Sequence, residues 1–263
     1  MNKIEKTFKR LKSKGQAALI PFIVAGDPDL ETTEAVVLKM ATSGADIIEL
    51  GVPYSDPLAD GPTIQAASQR ALQNGVTLEE IFGMAGRLKK TAPPLVIMTY
   101  FNPVFQYGLK AMARDCQGSG VAGVIIPDLP PEEARPWIEE AKKFELATIF
   151  LATPTSPPAR IRMASRYSRG FIYYVSVTGV TGVRGSVPEE LGVAVGRIRE
   201  QTRKPVAVGF GISTPEQAKE VSGFADGVIV GSAIVKIIEE SSGKEEMIDR
   251  VGTFVSSLAA AMR

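Results

Sequence analysis

The sequence predicts an α/β fold, a (β/α)8 TIM barrel with an N-terminal helix closing the barrel floor. Eight short apolar segments alternate with segments of helical periodicity along the 263 residues. Continuous apolar runs between helices are typical of parallel strands that are buried on both faces. Eight such units over about 250 residues fit a closed barrel better than an open sheet. Because no long linker or low-complexity segment divides them, we expect a single domain over residues 1–263.

The predicted strands share β-rich, uncharged interiors apart from one glutamate. They are ALIPFIVAG (18–26), DIIELG (46–51), PLVIMTYF (94–101), VAGVIIPD (121–128), LATIFLAT (146–153), GFIYYVSV (170–177), PVAVGFG (205–211) and DGVIVGS (226–232). The helical segments include DLETTEAVVLKMATSG, PEEARPWIEEAKKF, PPARIRMASRYS, PEELGVAVGRIREQT and TPEQAKEVSGF. In the last of these, Thr214 stands at the cap position, Pro215 in the first turn and Gln217 three residues after the cap.

The two ends of the chain are also predicted to be helical. Ile4, Phe8 and Leu11 follow helical spacing and would close the barrel floor, and EEMIDRVGTFVSSLAAAMR would complete the outer ring. A basic lead before an apolar run also resembles a secretory signal. The helical spacing and the interruption at Pro21 favour a helix instead, and no apolar stretch is long enough to span a bilayer. We therefore expect a cytoplasmic protein.

Composition excludes several classes of function. A net charge of +1 gives no electrostatic signature of nucleic-acid or acidic-membrane binding. The single cysteine cannot form an internal disulfide, which is consistent with a reducing compartment. Because the chain contains no histidine, a Ser-His-Asp device is impossible and proton transfer falls to Asp, Glu, Tyr, Lys or Cys. A metal site would also lack its commonest ligand.

The most informative residue is Glu49, which interrupts the apolar strand IIELG. If Ile48 and Leu50 face the helices, Glu49 faces the barrel interior near the end of the strand where active sites of this fold assemble. None of the eight apolar runs contains Lys or Arg, so an unpaired Glu49 should have a raised pKa. The alternative is a Glu49 that bonds to Ser or Tyr hydroxyls and only organises the core. Asp60 in the following loop is either a second functional carboxylate or an ordinary Asp-Gly turn residue.

Elimination restricts the chemistry further. With no lysine at a strand end, a Schiff-base aldolase is disfavoured. Without histidine and with scattered carboxylates, a metal-assisted enolate route is disfavoured as well. The substrate must then supply its own electron sink.

Glycine-rich ends of three consecutive strands predict a phosphate site. They are VTGVTG (177–182), GFGIS (209–213) and VGSAI (230–234). Barrels commonly bind phosphate at the last strand ends, where glycines and a helix N-terminus present backbone N–H groups. Gly211, Gly231 and Ser232 are the candidates. The segment GVTGVRGSVP (179–188) is either a lid that closes on substrate or an ordinary flexible loop.

These motifs resemble one known family. IELGVPYSDPLADGP closely resembles the signature of the tryptophan synthase alpha chain family. The resemblance covers essentially the whole chain and includes further blocks in the same order, PFIVAGDP, IIPDLP, VTGVTG, GFGIS and GSAIVKII.

The resemblance implies retro-aldol cleavage of indole-3-glycerol phosphate to indole and glyceraldehyde 3-phosphate. It assigns Glu49 as the acid/base, Asp60 as acceptor of the indole N–H, and Tyr173 as their neighbour. Protonated indole would be the electron sink. The remaining residues that the resemblance assigns are the indole pocket (Phe22, Ile64, Tyr100, Ile125, Phe210), the phosphate contacts (Gly182, Gly211, Gly231, Ser232) and a lid threonine contacting Asp60 (Thr181).

The resemblance also implies a partner. A pyridoxal-phosphate beta chain would receive the indole in an alpha2-beta2 heterotetramer, and this chain itself would hold no cofactor. The Pro-rich turns at 53–62, 103 and 127–131 are expected at that contact. One departure concerns the lid, because Val177 stands where the family often has a basic residue and Arg184 lies further along. The alternatives are a free-standing lyase that releases indole and a non-catalytic regulatory barrel.

Overall fold

The computed structural model describes residues 1–175, 187–209 and 211–263. Over these residues, parallel strands form one nearly closed sheet in the order β5-β4-β3-β2-β1-β9-β8-β7-β6. The strands are β1 (Ala18–Val24), β2 (Ile48–Gly51), β3 (Leu95–Met98), β4 (Gly123–Ile125), β5 (Ala147–Ile149), β6 (Leu151–Ala152), β7 (Ile172–Val175), β8 (Val206–Gly209) and β9 (Gly227–Val230). The predicted barrel is therefore confirmed.

Helices surround this sheet. They are α1 (Lys3–Lys12), α2 (Leu30–Thr42), α3 (Pro62–Gln73), α4 (Leu78–Leu88), α5 (Phe101–Tyr107), α6 (Leu109–Ser119), α7 (Arg135–Lys143), α8 (Pro158–Tyr167), α9 (Glu189–Gln201), α10 (Pro215–Ser222), α11 (Ser232–Glu240) and α12 (Lys244–Ala261). Within the described ranges, none of them is long and apolar enough to cross a membrane.

The predicted strand at 146–153 is divided into β5 and β6 at Phe150. The Phe150 N–H donates to Ser168 Oγ at 3.1 Å, while its carbonyl accepts the Tyr173 N–H at 3.1 Å. The pairing between strands is therefore interrupted at Phe150. Since β5 and β6 end the series of paired strands, the chain itself joins the two edges and closes the barrel.

Alternation along the strands separates two apolar layers. Ile48 and Leu50 belong to the large layer beneath the helices, as predicted. Glu49 lies between them and is aligned with Phe22 on β1 and Val96 on β3. Val96 belongs to the layer inside the barrel, so the row that contains Glu49 faces inward.

Helix α1 closes the barrel floor. Ile4, Phe8 and Leu11 are buried and pack within the interior layer. The Cβ of any other residue at Gly170 would lie 3.0 Å from Ile4 Cγ2, so the glycine admits the helix to this close approach. The helix begins with a capping box between Asn2 and Glu5. The amphipathic pattern predicted that this helix closes the barrel floor, and in the structure its apolar face is part of the core.

Helix α12 completes the outer ring by packing against α2, α10 and α11. The contact with α2 depends on Gly252, because a Cβ there would lie 2.2 Å from Lys39 Cε. The Lys39 side chain crosses this gap to pair with Asp249 at 2.8 Å. The predicted cap of α10 is also present, with the Thr214 side chain accepting the Gln217 N–H.

Two helices lie near the C-terminal mouth of the barrel. Ala67 and Ala71 of α3 and Val235 of α11 form a small buried cluster with Phe22 and Val24 of β1. Phe22 also belongs to the inward-facing row that contains Glu49. Through this cluster, α3 and α11 pack against the top of the barrel interior.

We expect Leu11→Ala to lower the free energy of unfolding by about 2–5 kcal/mol, because it leaves a cavity between α1 and the barrel interior. Urea unfolding monitored by circular dichroism measures this change. Leu58→Ala is the matched control: Leu58 is 84% exposed, and its truncation should alter stability by less than about 0.5 kcal/mol. Equal effects of the two substitutions would show that α1 does not contribute to the core.

Candidate functional site

A cavity of about 210 Å³ lies at the carboxyl ends of the strands. Strands β1 and β2 contribute Phe22 and Glu49, and the loop after β2 contributes Asp60. The cavity therefore occupies the end of the barrel at which this fold assembles its active sites. Among the described residues, its lining is Phe22, Glu49, Ala59, Asp60, Gly61, Ile64, Met98, Ile125, Pro127, Leu151, Tyr173, Val175, Gly209, Gly211, Ile229, Gly231 and Ser232.

Glu49 is fully buried at the wall of this cavity. Neither carboxylate oxygen has a hydrogen-bond partner among the described residues. No Lys or Arg in the described ranges forms an ion pair with it. Burial raises the pKa of Glu49 to about 8, and the nearby carboxylate of Asp60 adds to the rise. The group is therefore ready to hold or release a proton near neutral pH.

Asp60 lies in the turn between β2 and α3, and a tyrosine holds its carboxylate. The Tyr100 hydroxyl donates to Asp60 Oδ2 at 3.0 Å and accepts the Ala59 N–H at 2.9 Å. The Tyr54 ring stacks on Tyr100 with 5.0 Å between ring centroids. Burial raises the pKa of Asp60 to about 6, although the hydrogen bond from Tyr100 opposes the rise. Asp60 is thus mostly ionised at pH 7 and fixed in orientation.

Tyr173 on β7 presents a third polar group to the cavity. Burial, together with the charges of Glu49 and Asp60, raises the pKa of Tyr173 well above its usual value. Its hydroxyl therefore stays protonated and can donate a hydrogen bond. Gly209 makes room for the ring, because a Cβ there would lie 2.9 Å from the Tyr173 hydroxyl.

Another part of the cavity wall consists of glycines and a helix start. Gly211 has a φ of 61°, which lies in the left-handed region that favours glycine. Gly231 is the N-cap of α11 and Ser232 its first residue. The first N–H groups of a helix have no partner within the helix, and its dipole favours an anion there. This part of the wall can therefore bind an anionic group in the same cavity as the two carboxylates.

The fold brings together most of the residues singled out from the sequence. One of them, Tyr100, contacts Asp60 from behind and does not line the cavity. Thr181, Gly182 and Phe210, like Val177 and Arg184, lie outside the described residues. The predicted residues that line the cavity are Phe22, Glu49, Asp60, Ile64, Ile125, Tyr173, Gly211, Gly231 and Ser232.

Several lining residues were not predicted. Met98, Leu151, Val175 and Ile229 give the cavity much of its apolar wall. Residue parity could have identified Met98, which lies two positions after the inward-facing Val96 on the same strand. The register of Leu151 depends on the interruption at Phe150, which the apolar run LATIFLAT does not reveal.

A larger cleft of about 1060 Å³ lies outside the barrel between α8 and α9. Its charged lining residues, including Glu189, Glu190 and Arg197, are exposed on helix surfaces. Solvent screens such groups, whereas the smaller cavity contains two carboxyl groups with raised pKa values. The smaller cavity is therefore the candidate functional site. Among the described residues, no group of three or more His, Cys, Asp or Glu side chains is placed to hold a metal ion.

Two of the three predicted Pro-rich turns, 53–62 and 127–131, reach this cavity, whereas Pro103 lies within helix α5 and not in a turn. Asp60 and Pro127, from two of these turns, line it directly. Apolar side chains are unusually exposed in the same region: Leu58 is 84% and Phe105 61% exposed. We call the turns at 53–62 and 127–131 together with helix α5 the mouth surface.

Comparison with known proteins agrees with this geometry. The sequence profile of the family described as tryptophan synthase alpha chain matches residues 8–263. The tryptophan synthase alpha chain of Geobacter sulfurreducens is 52% identical over 263 residues, covering 100% of this chain and 99% of that one. The protein of the same description from Geobacter sp. strain M21 is 51% identical over 259 residues, covering 98% and 97%.

Solved structures show the same fold. The tryptophan synthase subunit alpha of Legionella pneumophila superposes with a TM-score of 0.93 at 38% identity, covering 100% of this chain and 98% of that one. A chain of Mycobacterium tuberculosis tryptophan synthase gives a TM-score of 0.92 at 38% identity, with the same coverage. The family is that of a cofactor-free subunit that works with a beta chain and cleaves indole-3-glycerol phosphate in tryptophan biosynthesis. With a site of this geometry and a match along nearly its whole length, the chain belongs to the tryptophan synthase alpha chain family.

Proposed function

We propose that this cavity binds indole-3-glycerol phosphate and that Glu49 carries out the proton transfers of its cleavage. The observation that carries the proposal is the sealed, unpartnered carboxyl group of Glu49 with its pKa raised to about 8. A structural carboxylate at this depth would need a cation or several hydrogen-bond donors. The described residues provide neither, so a role in proton transfer accounts for Glu49 better than a role in core packing.

The reaction needs one proton to be given and one to be taken. Protonated Glu49 donates to C3 of the indole ring, which converts the ring into a cationic indolenine. The resulting carboxylate then takes the proton of the glycerol hydroxyl next to the ring. As that O–H bond breaks, a C=O bond forms and the C–C bond to the ring cleaves. Its electron pair returns to the ring, so that indole and glyceraldehyde 3-phosphate form and Glu49 is protonated again.

Asp60 stabilises the charge that appears on the ring. Its carboxylate accepts the indole N–H, which becomes more acidic as C3 is protonated, and this interaction strengthens in the transition state. The Tyr100 hydroxyl holds this carboxylate in place at 3.0 Å. The Tyr173 hydroxyl stays protonated and is available to donate a hydrogen bond to the substrate beside Glu49. No lysine or metal is required, because the indole ring itself accepts the electrons.

The remaining assignments concern the two ends of the substrate. Gly211, Gly231 and Ser232 bind the phosphate through backbone N–H groups and a hydroxyl, which the start of α11 supports. Gly182 and Thr181 join this end by resemblance to the family. The apolar wall around Phe22, Ile64 and Ile125 holds the indole ring, with Tyr100 behind Asp60 and Phe210 assigned by resemblance to the same pocket.

We further propose that the mouth surface docks the beta chain in an alpha2-beta2 heterotetramer. Exposed Leu58 and Phe105 support this docking, because apolar side chains beside a cavity mouth are typical of an interface. Pyridoxal phosphate then belongs to the beta chain, which receives the indole. Residues 1–263 form one barrel domain that works in the cytoplasm. A free-standing lyase with the same site remains the alternative.

We expect Glu49→Gln to lower kcat for cleavage of indole-3-glycerol phosphate by about 10²–10⁴-fold, because an amide of the same shape cannot exchange the proton. Steady-state formation of glyceraldehyde 3-phosphate measures the loss. Glu245→Gln changes an exposed side chain of α12 in the same way and should leave the rate unaltered. If Glu49→Gln stayed within about tenfold of the wild type, the acid/base role would be wrong.

Stability should depend on pH through Glu49. The folded chain keeps the proton up to a pKa of about 8, whereas the unfolded chain loses it near 4.5. The stability that protonated Glu49 contributes is therefore fully present below pH 4.5 and is lost as the pH rises through 8. Between pH 5 and 9 the free energy of unfolding of the wild type should fall relative to Glu49→Gln by roughly 3–5 kcal/mol.

Urea unfolding at several pH values measures this difference. Glu245→Gln again serves as the control, and its curve should run parallel to that of the wild type because its side chain is exposed. Parallel curves for Glu49→Gln as well would mean that Glu49 titrates normally.

Addition of a tryptophan synthase beta chain should increase cleavage by this chain. Phe105→Asp should raise the beta-chain concentration that gives half of the maximal increase by more than about tenfold, since a charge in an apolar contact must lose its water. Val193→Asp is the control, because Val193 is similarly exposed (58%) but lies on α9. An unchanged rate with saturating beta chain would support the free-standing lyase.

A further inference from the structure

One ion-pair network lies beside the site without touching the cavity. Asp27, just after β1, is only 3% exposed. Its two carboxylate oxygens accept hydrogen bonds from Arg70 Nε and Nη2, both at 2.8 Å. The third nitrogen of the same guanidinium, Nη1, donates to Glu239 at 2.9 Å. Arg70 therefore binds two carboxylates through different edges of its planar fork, and we call these three residues the Arg70 clamp.

The clamp connects the two helices that carry the two ends of the site. Arg70 belongs to α3, which begins at Pro62, directly after Asp60 and Gly61. Glu239 belongs to α11, which begins at Ser232 with Gly231 as its N-cap. The Gln65 side chain donates to the Asp60 carbonyl at 2.8 Å, so the Asp60 turn is attached to the first turn of α3. We call the part of the cavity wall formed by Gly211, Gly231 and Ser232 the phosphate wall. Movement of α3 relative to α11 would therefore move Asp60 relative to this phosphate wall.

The apolar packing beneath the clamp is less directional than the polar contacts of the clamp. The fully buried α3 residues of the cluster with Phe22 and Val235 are small, Ala67 and Ala71, and the partly buried Ile64 of α3 packs against the same cluster. Pairs of small apolar surfaces have few interlocking atoms, and apolar contact is not directional. The bidentate contacts of Arg70 are directional and fix both distance and angle.

We infer that Arg70 is a positioning residue that sets the distance between Asp60 and the phosphate wall, and so matches the site to the length of its substrate. This inference rests on the proposed function of the cavity. Arg70 lies eight residues beyond Pro62, or about 12 Å along the helix at ~1.5 Å per residue. A small tilt of α3 at Arg70 therefore displaces the Asp60 end of the helix. A tilt of about 5° at the clamp would shift the Asp60 end by about 1 Å. Displacements of that size can cost up to about 10²-fold in rate.

Two substitutions separate positioning from folding. Arg70→Lys keeps the charge that Asp27 needs but cannot bind two carboxylates in the fixed geometry of a guanidinium. Glu239→Gln leaves the buried Asp27–Arg70 pair intact and alters only the half-exposed partner, whose side chain is 44% exposed. Exposed ion pairs contribute little to stability, so this variant should fold like the wild type. Thermal unfolding checks both variants first.

The test compares ligands that engage one end of the site with a ligand that spans it. The spanning ligand is an uncleavable indole joined to phosphate through a three-carbon chain, and the single-end ligands are indole and inorganic phosphate. We expect Arg70→Lys to weaken binding of the spanning ligand by about tenfold and to lower kcat/KM by about 10–100-fold. Binding of either single-end ligand should change by less than about threefold. Glu239→Gln should act in the same direction by about threefold or more on the spanning ligand.

Glu34→Gln is the matched control. It weakens the Arg87–Glu34 pair, which has a similar bond length of 2.7 Å but joins α2 to α4 away from the cavity mouth. This variant should bind all three ligands like the wild type. If Arg70→Lys left the spanning ligand unaffected, or weakened the single-end ligands equally, the positioning role would be overturned. Failure of the wild type to bind the spanning ligand would instead overturn the proposed site itself.

Discussion

The proposed chemistry at the top of this barrel depends on a buried carboxyl group that has no hydrogen-bond partner among the described residues. Glu49 is fully buried, and burial together with the nearby carboxylate of Asp60 raises its pKa to about 8. A salt bridge would have fixed its charge and removed its use as a proton carrier. The stability lost in keeping it ionised at high pH must be offset elsewhere, and the apolar layers on both sides of the sheet provide that reserve.

The barrel separates stability from function along its axis. At the floor, α1 inserts Ile4, Phe8 and Leu11 into the interior layer, and the ion pair of Arg10 with buried Asp46 attaches the same helix to the start of β2. At the mouth, the inward-facing side chains include the carboxyl group of Glu49 among apolar neighbours. Polar groups concentrate where strands end, because loops there can contribute side chains without disturbing the packed layers.

Around Glu49, the neighbouring groups are held by contacts that differ in kind. Asp60 is oriented by the hydroxyl of Tyr100, whose ring is stacked on Tyr54. The phosphate wall is shaped by backbone conformation, with Gly211 in the left-handed region and Gly231 as the N-cap of α11. The Arg70 clamp would set the distance between these two parts. A substrate with an aromatic ring at one end and a phosphate at the other needs both parts at a fixed separation.

Residue parity and apolar periodicity, which are local properties of the chain, predicted the alternation of strands and helices, the floor helix and the inward direction of Glu49. The Asp-Gly turn and the glycine-rich strand ends made Asp60, Gly211, Gly231 and Ser232 candidates, and the family resemblance added Tyr173. Tertiary structure alone decided that Tyr100 contacts Asp60 from behind, that β5 and β6 separate at Phe150, and that Arg70 joins α3 to α11. Each of these depends on groups far apart in the sequence meeting at a particular distance and angle, which no local pattern encodes.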